Sequence, residues 1–464
     1  MPEFRLEDTI AALATPVGEG GLAVIRVSGP ETFPIIKTIF YFRKEQDLFL
    51  LPSHTLHFGE IRNEKGEPLD QVLISLFQAP HSYTGEDVIE ISTHGGIAVS
   101  RRILDLLIQK GARHAEPGEF TKRAFLHGKM DLTQAEAVLD LIKSKSEKSL
   151  EAAVRQLKGS LSTRLKALKD ELMNLYAHME AYLDFPDEHL EVYSDSELLQ
   201  KLKNLRTQVE TLLASFKRGI LLREGVRMAI VGKPNVGKSA LFNALLERDR
   251  ALVSEYPGTT RDMLEEALEI KGTYIRMVDT AGLAPRPGHP LDQMGMERTR
   301  EVLKEAQLYL FLVDGSLVLE EADKMVFEEI PQGKPLLVLI TKKDLPQKIT
   351  AAEIQNKFPA QEVLTISAKT REGLSRLEEK IADLVLQESA GQEGEQITRL
   401  RHKHALEAAQ TALLRAENAF CAEQSLEFVV ADLKIALDEL RELIGEIYSE
   451  DLLDVIFSEF CIGK

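Results

Sequence analysis

Eight residues, "GKPNVGKS" from Gly232 to Ser239, carry the spacing G-x-x-x-x-G-K-[ST]. Glycines in such a loop let backbone N–H groups turn inward and cradle phosphate oxygens at the start of a helix. Lys238 supplies a point charge to the outer phosphates, and Ser239 offers a hydroxyl to Mg2+. Asn235, Val236, Gly237 and Ala240 complete the phosphate-facing run. The apolar "RMAIV" before it and the helical "ALFNALL" after it supply the strand and helix that such a loop needs.

Three further strings sit behind apolar runs. "DTAG", Asp279 to Gly282, follows "YIRMV": Asp279 reaches the metal through water, and the Gly282 N–H senses the γ-phosphate beyond Thr280 and Ala281. "TKKD" comprises Thr341, Lys342, Lys343 and Asp344, and follows "LLVLI". A carboxylate there accepts two hydrogen bonds from the guanine N1 and N2 donors; adenine lacks that pair and would leave a buried Asp344 unpaired. "SAK", Ser367, Ala368 and Lys369, follows "VLTI" and backs the base oxygen with a main-chain N–H. Four motifs in this order, each at a strand end, predict a GTP site.

A switch loop belongs between the first and second motifs, where "SEYPGTTRD" lies. Thr260 is then the second Mg2+ ligand, flanked by Ser254, Glu255, Tyr256, Pro257, Gly258 and Thr259. The residue after DTAG is Leu283, where a Ras-type GTPase uses glutamine to orient the attacking water. Leucine cannot bond water, so Asp292 or Glu297, in "APRPGHPLDQMGMER", is expected to take that task. Arg261 reads as a structural or ion-paired residue rather than an arginine finger.

The elements that must position these residues alternate. "VRMAIVG", "YIRMVDT", "LYLFLVDG", "PLLVLITKKD" and "EVLTISAK" are short β-rich runs separated by helical stretches, as in a doubly wound, mostly parallel sheet. Before them, "TQAEAVLDLIKSKSEKSLEAAVRQLKGSLSTRLKALKDELMNLYAHMEAYL" has helical periodicity. "DFPDE" breaks it, and a new helix opens at an N-cap, Ser194 or Asp195. After a polar "ESAGQEGEQ", helical composition returns to the end. The start is mixed: "GLAVIRVSG" and "QVLISLFQAP" read as strands, "AVSRRILDLLIQKGA" as a helix. The fold class expected is therefore multidomain: a mixed α+β part over 1–120, a helical part over 121–218 and 388–464, and a Ras-like P-loop unit over 219–387 inserted into the helical part.

The 464 residues are 44% hydrophobic and 28% charged, a globular profile. There is no run of about 18 apolar residues to span a membrane, nor a secretory signal pattern at the N-terminus. Cys421 and Cys461 are the only cysteines, which argues against a disulfide framework or a cysteine zinc site and fits a reducing cytoplasm. A net charge of −17 opposes broad non-specific binding of nucleic acid. "TRLRHKH", Thr398 to His404, reads as a solvated helix face rather than a basic patch. His54, His57, His402 and His404 lack partners at metal spacing.

Longer strings carry a resemblance over essentially the whole chain: "DTIAALATPVGEGGLAVIRVSG", "YTGEDVIEISTHGG", "PGEFTKRAFLHGKMDLTQAEAVLDLI", "DFPDE", "GILLREG" and the terminal "FCIGK". With the nucleotide motifs, they make the chain similar to the bacterial tRNA modification GTPase family known as MnmE or TrmE. The resemblance implies an N-terminal domain that binds tetrahydrofolate and dimerises, a helical domain, and an inserted G domain. It implies a homodimer that forms a heterotetramer with an FAD-containing partner, MnmG or GidA. Together they add aminomethyl or carboxymethylaminomethyl groups at C5 of the wobble uridine of certain tRNAs, using a one-carbon unit from methylene-tetrahydrofolate. It also implies K+-stimulated hydrolysis of GTP, with K+ held by the Asn235 side chain and by backbone oxygens near Ser254, Tyr256 and Thr259. In that site the ion takes the electrostatic role of the missing finger. Asp292 falls where the family has a catalytic Glu, and Thr341 where it more often has Asn; Thr341 is expected to keep guanine readout but to lose an amide that braces the P-loop. Folate contacts fall on Arg26, Glu90, Lys129 and Lys464, for 5-formyl- or methylene-tetrahydrofolate.

The alternative from a different class is a GTP switch that regulates ribosome assembly or a membrane process, since "PGTTRD" is also similar to translation-linked bacterial GTPases. The N-terminal block and "CIGK" speak against it. "CIGK" is a poor prenylation box, because Gly463 is not aliphatic and Lys464 is an unusual last residue. The expectation is that "DLLDVIFSEF" anchors the tail and brings Cys461 and Lys464 to the folate pocket, where Cys461 either reacts or lines the site.

Overall fold

The computed structural model describes residues 7–44, 46–184, 193–248, 265–279, 304–358, 360, 362–387 and 396–464. Its contacts divide the chain into two compact units: Met1–Leu139 with Gln156–Asn174 and Lys434–Lys464, and Asp140–Arg155 with Leu175–Leu433.

The first unit is built on seven strands: β1 (Ile10–Leu13), β2 (Gly20–Ser28), β3 (Phe40–Phe42), β4 (Thr55–Arg62), β5 (Pro68–Phe77), β6 (Val88–Gly95) and β7 (Arg113–His114). Their order in the sheet is β3-β4-β5-β6-β2-β1-β7, and every neighbouring pair is antiparallel except β1–β7. Alternation sorts the side chains by face. Val72, Ile74, Leu76, Ile89, Ile91, Ile25 and Val27 point into a core closed by α1 (Thr32–Ile39) and α2 (Ile97–Gln109). Arg26 and Glu90 lie on the opposite face, directly paired in register between β2 and β6.

Helix α3 (Glu119–Leu126) is tied down by side-chain ion pairs. Arg123 is fully buried and bonds Asp8, Glu86 and Glu119; Arg113 adds bonds to Asp8 and Glu119. Buried charge is tolerated only when paired in this way. Beside α3, Phe125, Leu132, Ala135 and Leu139 pack with Leu453, Ile456, Phe457 and Phe460. Leu132–Leu139 lie on α4 (Leu132–Lys143), and the terminal helix Glu450–Ser458 carries three of the partners.

In the second unit six strands run β13-β12-β11-β8-β10-β9, with β8 (Val226–Gly232), β9 (Glu265–Ile270), β10 (Thr273–Asp279), β11 (Leu308–Asp314), β12 (Leu336–Thr341) and β13 (Glu362–Thr365). All pairings are parallel except the β9–β10 hairpin. Every residue of β11 and β12 is buried, as expected of strands covered on both faces. Leu308, Leu310 and Leu312 face one core, which includes Leu241 and Leu245 of α8 (Lys238–Arg248); Tyr309, Phe311 and Val313 face the other. The doubly wound sheet anticipated from the alternating strands is present, with one antiparallel edge.

Two long helices, Asp195–Glu224 and Leu400–Cys421, bracket the sheet. Ser194 is the N-cap, in a reciprocal box with Glu197. Leu198, Leu202, Leu205, Val209 and Leu212 form the buried stripe, and Arg206 reaches Glu417 at 3.0 Å. The helix Asp195–Glu224 turns into β8 at Gly225, with φ of 81°. The returning chain passes so near Gly219 that a Cβ there would overlap the Ile397 carbonyl. Departure and return thus lie side by side, as an insertion requires. "TRLRHKH" departs from its expected solvated face: Thr398, Arg399 and His402 are buried, and Arg399 pairs with Asp140 at 2.7 Å.

Candidate functional site

The loop from Gly232 to Ser239 leaves β8 and enters α8 in the conformation its glycines permit. Gly232 has φ of 157° and Gly237 of 105°, and Asn235 is left-handed at 61°. A Cβ on Gly232 would stand 2.8 Å from the Leu312 carbonyl oxygen, so strand and loop approach too closely for any side chain. The Lys238 ammonium donates to the carbonyls of Gly232 (2.6 Å) and Lys233 (2.8 Å), drawing the loop around itself. Ser239 and Asn235 are exposed, while Val236 is buried and pins the loop to the core beneath. Lys233 is anchored outside the loop by Glu320 and Asp323, each at 2.8 Å.

Thr341 ends β12, and its hydroxyl donates to the Val236 carbonyl at 2.7 Å. Threonine lacks the amide, as expected, and its hydroxyl supplies a donor to the P-loop in its place. Thr341 sits at strand level, so its short side chain reaches the loop without help. Asp344, two residues after Lys342, is exposed rather than buried, so only a base laid against it would desolvate it. Its carboxylate accepts from the Ser367 hydroxyl at 2.6 Å. That bond, then its own backbone N–H and the charges of Lys369 and Lys342, hold its pKa below the usual value of 3.8. The two base-facing loops are joined where the Lys343 N–H donates to the Ile366 carbonyl at 3.1 Å. Lys343 also reaches Glu372. Ala368 is half-buried and Lys369 exposed.

Asp279 is the last residue of β10, in register with Ile230 of β8, which places it beside the P-loop strand. Ser254, Glu255, Tyr256, Pro257, Gly258, Thr259, Thr260, Thr280, Ala281, Gly282 and Asp292 lie outside the described residues, as do Arg261, Leu283 and Glu297.

The second cluster lies in the first unit. Arg26 and Glu90 form an ion pair at 2.7 Å. The guanidinium also lies 5.2 Å from the Tyr83 ring centroid and 5.5 Å from that of Phe120, so two aromatic faces and a carboxylate fix it. The Tyr83 hydroxyl meets Thr121 at 2.9 Å; burial raises the Tyr83 pKa, with Thr121 and Arg26 opposing. Lys129 donates to the Pro80 carbonyl at 2.9 Å, on the loop that carries Tyr83. Reading the sequence residue by residue missed Tyr83 and Phe120, although "YTGEDVIEIS" and "PGEFTKR" contain them.

The terminal tail docks against the same region. The Phe120 N–H donates to the Lys464 carbonyl (3.2 Å), and Pro117 bridges to Ile462. Gly463, with φ of 95°, presses on the backbone at Leu13 and Ala14; Gly118, with φ of 68°, lies where a Cβ would be 2.7 Å from the Phe457 carbonyl oxygen. The expected anchor is present, since Phe457 and Phe460 are buried in the α3–α4 cluster. Cys461 is exposed and Lys464 half-buried. Arg26, Glu90 and the tail are thereby linked through Phe120, and Lys129 joins them through the Tyr83 loop.

A Walker-type loop at the end of β8, with a carboxylate presented from β12 and steadied from the β13 loop, defines a P-loop guanine-nucleotide-binding protein carrying a second, α+β unit. A family model described as MnmE helical domain matches residues 132–461, and one described as GTP-binding protein TrmE N-terminus matches residues 9–129. The chain is 43% identical to the tRNA modification GTPase MnmE of Carboxydothermus hydrogenoformans over 463 residues, 99% of this chain and 100% of that one. It is 44% identical to that of Natranaerobius thermophilus over 460 residues, 99% and 100%. The figure for Enterococcus faecalis is 40% over 463 residues, 98% of each chain. The chain belongs to the tRNA modification GTPase MnmE family. Among solved structures, the G domain of the T. maritima FeoB iron transporter matches 34% of this chain and 98% of its own at 29% identity, with a TM-score of 0.27.

Proposed function

We propose that this chain hydrolyses GTP in the service of tRNA modification. The reading is carried by the full-length family membership, together with the joined P-loop, Thr341 and Asp344 geometry. Lys238 would leave its two main-chain carbonyls for the outer phosphates, and Ser239, exposed on the first turn of α8, suits a Mg2+ ligand; Thr260 would be the second. The exposed, left-handed Asn235 suits a K+ site shared with backbone oxygens near Ser254, Tyr256 and Thr259. Bound there, K+ supplies fixed positive charge where the transition state gathers negative charge. Asp292, or Glu297, would orient the water that Leu283 cannot.

The Arg26–Glu90 cluster is proposed as the tetrahydrofolate site. A carboxylate suits the donors on a pterin edge, and Lys129 and Lys464 suit the glutamate tail. The folate supplies the one-carbon unit, and an FAD-dependent partner of the MnmG type completes the reaction at the wobble uridine. In this reading Cys461 lines the pocket or reacts there, and the chain works in the cytoplasm as a homodimer within a heterotetramer. Among the described residues, no helix is long and apolar enough to cross a membrane.

The test is steady-state GTP hydrolysis by the full chain in matched K+ and Na+ buffers. Hydrolysis is expected in K+, to fall at least about tenfold in Na+, and to be abolished by Lys238→Ala. Equal rates in both salts would remove the K+ site; no hydrolysis in either would remove the GTPase reading.

A further inference from the structure

Asp314 carries no role in the nucleotide site described above, yet it is a buried carboxylate beside it. It ends β11 in register with Thr341, and only 7% of its surface is exposed. One oxygen accepts from the Ser316 N–H (2.9 Å) and hydroxyl (2.6 Å). The other holds the Lys342 ammonium at 2.6 Å. Lys342 is fixed from its backbone as well, with φ of 57° and a carbonyl that accepts from the Gln347 side chain at 2.9 Å.

Lys342 and Asp344 are two residues apart, and Asp344 is exposed. Without another anchor, the Lys342 ammonium has the length and flexibility to pair with the carboxylate that reads the base. Such a pair would occupy the acceptor oxygens that the guanine N1 and N2 donors need. Anchored on Asp314, the ammonium is held on the β11 carboxylate rather than on Asp344. We infer that Asp314 is a positioning residue for guanine recognition: it sequesters the Lys342 ammonium so that Asp344 stays open to the base. This rests on the reading of Asp344 as the guanine acceptor. The bland alternative is that Asp314 and Lys342 only tie together the ends of β11 and β12.

Titration calorimetry on the full chain separates these, with Mg-GTP and inorganic tripolyphosphate as probes. Wild type must bind GTP; failure there would overturn the guanine-site reading itself, not this inference. Asp314→Asn is expected to weaken GTP about fivefold, the scale of an exposed ion pair in competition, and to leave tripolyphosphate unchanged. Adding Lys342→Met keeps an apolar stem, removes the competitor, and is expected to restore GTP to within about twofold of wild type. An unchanged GTP affinity in Asp314→Asn, equal weakening of GTP and tripolyphosphate, or no recovery in the double variant would overturn the inference.

Discussion

At the residue scale, hydroxyl and carboxylate groups act by where they are held. The one proton of the Thr341 hydroxyl goes to the buried Val236 carbonyl at 2.7 Å, with the Val313 carbonyl standing 3.2 Å from the same oxygen. Thr341→Val keeps the shape and removes the donor, at a cost of about 1–3 kcal/mol. A lower denaturation midpoint and weaker GTP binding are expected, while Thr341→Ser stays near wild type; chemical denaturation and calorimetry read both. Asp8 shows the charge side of the same rule. Its burial works to raise its pKa, but bonds and charge from Arg113 and Arg123 carry it below the usual 3.8. A carboxylate with a lowered folded pKa stabilises above its unfolded pKa, and that stability is lost as the pH falls through the folded value. The stability gap between wild type and Asp8→Asn should therefore be full above about pH 5 and close progressively below about pH 4, as denaturation at stepped pH would show. A gap independent of pH would contradict the ion-pair account.

At the element scale, the tail docks because two glycines let it. Gly118 opens α3 and Gly463 lies against Leu13, both with positive φ and no room for a Cβ. Gly463→Ala should lift the last residues while Phe457 and Phe460 keep the terminal helix seated. The N–H groups of Gly118 and Phe120, which donate to Cys461 and Lys464, should then exchange with solvent about tenfold faster, while the amides of α3 from Lys122 onward do not change. Unchanged exchange at both would show that the tail bonds do not protect them. The strands and long helices were legible in the sequence because apolar spacing decides them. Two features were not. The burial of Arg399 depends on Asp140, 259 residues earlier, and no local pattern records such a partner. Nor does the string "TKKD" say that a hydroxyl reaches Val236, since the reach depends on how closely β12 passes the P-loop.

At the scale of the whole molecule, nucleotide motifs were readable because each is short and sits at a strand end. The Arg26 cluster was readable only in part. Arg26, Glu90, Lys129 and Lys464 came from the family resemblance, while the rings of Tyr83 and Phe120 that flank Arg26 emerged only when β2, α3 and the Tyr83 loop met in space. The central claim is that one chain joins a GTPase to tRNA modification. Mass spectrometry of wobble uridines tests it most directly, in cells lacking this chain and in the same cells given back wild type or Lys238→Ala. The modified nucleoside should vanish without the chain, return with wild type, and stay absent with Lys238→Ala. Modification that persists without the chain would contradict the account.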